Sequence, residues 1–111
     1  VFLTSDNPRT EDPRAIIADA LAGIPATDHQ RVHVDPDRES SIRAAIAVCR
    51  PGDILVIAGK GHETYQLLPD GRGGILRRDF DDRAVAADAL ASRLQRASAG
   101  RIAPAHGEVT A

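Results

Sequence analysis

Two short polar segments hold most of the chemistry this chain could do. The first, Asp6-Asn7-Pro8-Arg9, follows the β-favouring run Val1-Phe2-Leu3-Thr4. Arg9 presents a planar guanidinium fork suited to a carboxylate. Asn7 can donate to a carboxylate and accept from an ammonium. Pro8 stiffens the loop and fixes the two relative to each other; the plainer alternative is an Asx-type turn that happens to carry an arginine. The second segment, Gly59-Lys60-Gly61-His62-Glu63, follows the apolar run Ile54-Leu55-Val56-Ile57-Ala58. Gly59 and Gly61 permit a tight turn and close approach of a ligand to the backbone. Lys60, the single lysine among 14 basic residues, either faces an anion or is a solvated loop charge. Glu63 could accept from a ligand ammonium, or stand in a first helical turn where the dipole favours it. Together the two loops describe a site for a small molecule carrying both signs of charge.

Other chemistries find less support. The second loop lacks the third glycine of a dinucleotide fingerprint and the spacing of a phosphate loop. His62 has no neighbour in sequence to orient it as an acid or base, so a structural role is expected. His29, His33 and His106 show no metal-ligand spacing, no metal site is expected, and no nucleophile in a Ser/His/Asp order is visible.

Elements of the right kind must bring the loops together. Asp12-Pro13 is a helix start, an N-cap side chain followed by proline, and Ile17, Ala20, Leu21 and Ile24 recur at helical spacing with Gly23 near the end. Arg31 to Val34 alternates as a strand. Asp35-Pro36 repeats the helix start, and Ile42, Ala45, Ile46 and Cys49 form one buried face, broken by Pro51-Gly52-Asp53. Ile54 to Ala58, continuously apolar, reads as a strand covered on both faces. Strand, helix, strand, helix, strand implies an α/β fold with a mostly parallel sheet, both loops opening at its carboxyl edge. Tyr65–Leu68 and Gly74–Arg77 flank Pro69 to Gly73 as a hairpin or an irregular excursion. Asp81 or Asp82 is expected to cap a last helix with Ala86, Leu90 and Leu94 on one face. Residues 1–96 then make one domain and 97–111 a disordered tail.

At 111 residues the chain suits one modest domain. A formal charge of -2 argues against an electrostatic nucleic-acid binder. A single cysteine, Cys49, excludes an intrachain disulfide, and its helical position suggests a buried thiol in a reducing compartment. No apolar run has the roughly 20 residues a membrane helix needs, and a cytoplasmic location is expected. Because the chain opens on Val1 inside a strand and contains no methionine, a fragment lacking an upstream partner is expected, with proteolytic maturation as the alternative.

Read in order, these segments resemble the C-terminal domain of the Mur ligase family, and within it the members that add meso-diaminopimelate. The matching stretches are Thr4 to Arg9, Asp12-Pro13, Asp37-Arg38 with Ile42, Pro51-Gly52-Asp53, Gly59 through Gln66, and Asp79-Phe80-Asp81-Asp82-Arg83. The resemblance covers about residues 1 to 95 and implies a Rossmann-like α/β domain, truncated at its N-terminus. It implies a ligase that joins an amino acid to UDP-N-acetylmuramoyl-L-alanyl-D-glutamate in peptidoglycan synthesis. ATP activates the glutamate carboxyl as an acyl phosphate, and Mg²⁺ assists. Diaminopimelate contacts are implied for Asp6, Asn7, Pro8, Arg9, Gly59 and Glu63. No catalytic residue falls on this segment, because the uridine-nucleotide domain, the central domain with its phosphate loop and magnesium ligands, and an upstream arginine for the same ligand have no counterpart here. The segment alone is expected to be inactive. A sister ligase adding lysine and a stand-alone amino-acid or nucleotide-binding module are the rivals; Arg9, which lysine would leave unpaired, speaks against the first.

Overall fold

The structure, a computed structural model, describes residues 1–102. The chain forms β1 (Phe2–Leu3), α1 (Pro13–Ala22), a 3-10 turn (Ala26–Arg31), β2 (His33–Val34), α2 (Arg38–Val48), β3 (Tyr65–Pro69), β4 (Ile75–Asp79) and α3 (Asp82–Ile102). β1 and β2 pair in parallel, Phe2 opposite His33 and Leu3 opposite Val34. The helical crossover between them makes the fold α/β, as the element order requires.

Local chemistry sets the element ends. Asp12 caps α1, its side chain accepting from the Arg14 backbone N–H, with Pro13 in the first turn and Gly23 at the C-cap. His29 Nε2 donates to the Ile24 carbonyl at 2.9 Å and lies 3.2 Å from that of Leu21, tying the turn to the end of α1. α2 starts two residues later than Asp35-Pro36 suggests. Asp37 is the cap, accepting from the N–H groups of Glu39 and Ser40, while Asp35 accepts from the Asp37 N–H in a preceding turn.

The hydrophobic core lies between α2 and α3. Ile42, Ile46, Phe80 and Ala89 are buried, and Ile57, Val85 and Ala86 pack against them. On α3 the inward stripe is Val85, Ala86 and Ala89; of the face expected from spacing only Ala86 is on it, while Leu90 and Leu94 are 50% and 66% exposed. The cause is Asp82, whose burial against Arg38 fixes the rotation of the helix. Of the stripe expected on α1, only Ile17 is buried. Cys49, expected to be buried, is a half-buried free thiol at the C-cap of α2.

Two further expectations change. Ile54 to Ala58 enters no strand ladder among the described residues, and Ile54 and Val56 are 90% and 78% exposed. A strand of this composition needs pairing and cover on both faces; here only Ile57 reaches the core. The parallel sheet therefore has two strands rather than three. The segment after the glycine loop is a regular antiparallel hairpin, β3 with β4, in register from Tyr65 opposite Asp79 to Pro69 opposite Ile75. Asp70 closes its turn by accepting from the N–H groups of Arg72 and Gly74. α3 continues through Ile102, so residues 97–102, expected in the tail, are helical. The remainder of that tail, 103–111 with His106, lies outside the described residues.

Candidate functional site

The loop after β1 and the glycine loop meet in one cleft of about 620 Å³. Asp6, Asn7, Pro8, Arg9, Gly59 and Glu63 all line it, with Lys60, His62 and the first turns of α1.

Asn7 organises the first loop. Its Oδ1 accepts from the Leu67 N–H at 2.9 Å, which fixes the orientation of the amide, since a backbone N–H can only meet the oxygen. Its Nδ2 then donates to Glu63 Oε1 at 3.2 Å. One amide N–H remains for a ligand. The Arg9 N–H donates to the Leu67 carbonyl at 2.9 Å, so the loop is clipped to β3 on both sides of Pro8. Gln66, buried in β3, adds a bond from Nε2 to the Asp6 carbonyl at 3.0 Å. With the backbone held in this way, Arg9 adopts φ +56° and remains exposed. Among the described residues its guanidinium has no hydrogen-bond or ion-pair partner.

In the second loop Gly59 has φ +111° and Gly61 φ +59°, values that favour glycine. The turn they make sends Lys60 inward. Its side chain is fully buried, which overturns the solvated-charge reading. The ammonium lies 3.4 Å from Asp6 Oδ1 and from Asn7 Oδ1 and 3.8 Å from Glu63 Oε1. The three N–H groups of an ammonium thus face three acceptors. Glu63 is partly exposed; Asn7 and Lys60 approach one carboxylate oxygen, and the Tyr65 hydroxyl lies 3.5 Å from the other. His62 is exposed.

Sequence reasoning did not find the group that sets the two loops against each other. Arg38, only 3% exposed, pairs bidentately with Asp82 at 2.7 Å on both arms. It also donates to the carbonyls of Ser5 and Ala58, each at 3.0 Å. Those are the residues immediately before Asp6 and Gly59. One guanidinium therefore spans the roots of both loops. The available signal was a charged residue on the same helix as Ile42 and Ala45, which does not name a partner 44 positions away.

No group of three His, Cys, Asp or Glu side chains that could hold a metal occurs among the described residues, and none of their helices is long and apolar enough to cross a membrane.

The family model described as Mur ligase, glutamate ligase domain, matches residues 1–61. Over 90 residues the chain is 59% identical to the UDP-N-acetylmuramoyl-L-alanyl-D-glutamate--2,6-diaminopimelate ligase of Solibacter usitatus, covering 81% of this chain and 17% of that protein. The same-named protein of Synechococcus elongatus is 54% identical over 93 residues, 84% of this chain and 17% of its own length. A solved structure of a UDP-N-acetylmuramoyl-L-alanyl-D-glutamate--2,6-diaminopimelate ligase superposes with a TM-score of 0.72 at 45% identity, over 84% of this chain and 18% of that one. The chain thus spans less than a fifth of the length of these relatives.

Proposed function

Since this chain belongs to the Mur ligase family, we propose that residues 1–96 form the diaminopimelate-binding part of a ligase that extends UDP-N-acetylmuramoyl-L-alanyl-D-glutamate. The observation that carries the reading is the pairing, in one cleft, of an unpartnered Arg9 fork with a part-exposed Glu63 carboxylate. The high identity to relatives named as diaminopimelate ligases supports it.

Diaminopimelate has two amino-acid centres. In this reading Arg9 takes the distal carboxylate bidentately, the free Asn7 N–H adds a donor, and Glu63 accepts from the distal ammonium. Gly59 lets the ligand approach the backbone, while Asp6 and Pro8 shape the wall. Holding one centre orients the other, whose amine is the nucleophile for the activated glutamate carboxyl. Lysine has no distal carboxylate, so it would leave the Arg9 fork without its acceptor and forfeit the charge-assisted bidentate pair on which the discrimination rests. In the complete enzyme ATP and Mg²⁺ would supply the activation of the glutamate carboxyl. The described residues offer neither a phosphate loop nor a metal cluster, so both are assigned to parts of the ligase outside this chain. The expected compartment is the cytoplasm.

Competition between diaminopimelate and lysine in the full-length ligase tests the reading. Arg9→Ala should lower kcat/KM for diaminopimelate by at least about 2 kcal/mol, the scale of a lost charge-assisted bond. An unchanged kcat/KM would sink it.

A further inference from the structure

We propose that Lys60 is a specificity-determining residue: buried beneath Asp6 and Glu63 on the floor of the cleft, it cancels one of their two negative charges and so fits the site to a zwitterionic rather than a purely cationic end group. The inference rests on the diaminopimelate reading above. The cleft's charged side chains are the carboxylates of Asp6 and Glu63, the ammonium of Lys60 and the guanidinium of Arg9. Counted formally, with His62 neutral, these charges cancel. A distal centre with one carboxylate and one ammonium is also neutral and meets its opposite at each pole.

Lys60 has the features this role requires. Its side chain is fully buried, so it does not reach a ligand as an exposed charge would. Each of its neighbouring acceptors belongs to the site: Asp6 and Asn7 at 3.4 Å and Glu63 at 3.8 Å. A buried ammonium is retained only where its desolvation is offset by such partners. Without Lys60 the two carboxylates would face the cleft with only Arg9 against them. The surplus negative charge would then favour an end group bearing an ammonium alone.

The test measures kcat/KM for diaminopimelate and lysine in the full-length ligase, with KM for ATP as a control. Lys60→Met should lower the diaminopimelate-to-lysine ratio by at least about tenfold, the size of a modest electrostatic effect in a part-buried site, with KM for ATP unchanged. Asp6→Asn, which shifts the charge the other way, should raise the ratio, and combining it with Lys60→Met should bring the ratio back toward wild type. Should Lys60→Met fail to fold, the Asp6→Asn ratio decides alone. A ratio unmoved by either substitution, even with activity reduced for both amino acids, would reduce Lys60 to a structural anchor and overturn the inference. Arg9→Ala separates the two claims: if it leaves diaminopimelate use intact, the substrate reading fails, whereas harm from it together with an unmoved Lys60→Met ratio rejects only the charge-balancing role.

Discussion

Arg38 and Arg9 carry the same guanidinium in opposite surroundings. Arg38 is buried and engages Asp82, Ser5 and Ala58. Arg9 is exposed, and among the described residues only its backbone N–H is engaged, to Leu67. The first, with four of its five N–H groups engaged, is architecture, fixing the distance between two loop roots. The second, on the proposed function, serves recognition, because its N–H groups are still open to a ligand's acceptor. What separates them is the fraction of hydrogen-bonding capacity already met inside the protein, a distinction that neither residue type nor charge reveals.

Breaking the architectural arginine should have the larger effect. Arg38→Ala leaves Asp82 buried without its partner, a change that costs about 3–5 kcal/mol. Native-state hydrogen exchange of α2 and α3 should show that loss; protection within about 0.5 kcal/mol of wild type would mean that Arg38 is not the clamp. The site arginine should behave in the reverse manner. Arg9→Lys keeps the charge and loses the fork, so it should lower kcat/KM for diaminopimelate by about tenfold or more with no change in α2 and α3 protection. Near wild-type efficiency would refute bidentate recognition.

The smallest effect is expected at a third arginine, Arg83, which is exposed and already paired. Its hydrogen bond to Asp81, with that from its own backbone N–H, holds the Asp81 carboxyl below its ordinary value. A depressed carboxylate adds stability above the unfolded-state value, about pH 4, and loses it as the pH falls through the folded-state value. Asp81→Asn should therefore flatten the acid side of the thermal-midpoint profile slightly. An unaltered acid slope would mean that this pair contributes nothing measurable, as many surface pairs do.

Much of this contrast could be read in the sequence, and the remainder could not for physical reasons. The Asp12-Pro13 cap, the face of Ile42, Ala45 and Ile46, and the two polar loops depend on neighbours a few residues apart. Their chemistry is local, and the structure places all six expected site residues in one cleft. The inward stripe of α3 was misplaced because a long-range ion pair, Arg38 with Asp82, orients that helix rather than its leucines. Lys60 was ambiguous because burial of a loop charge depends on where a second loop lies. Ile54 to Ala58 read as a strand on composition, but a strand exists only through its partners, and composition does not supply them.

The backbone at Arg9 has one more implication. Its φ of +56° is a conformation that disfavours a side chain with Cβ by about 1–2 kcal/mol, and glycine would occupy it without penalty. Recognition and thermal robustness therefore make opposing demands on a single position. A stabilising screen blind to substrate would be drawn toward glycine there, and would remove the fork to which the proposed function assigns recognition.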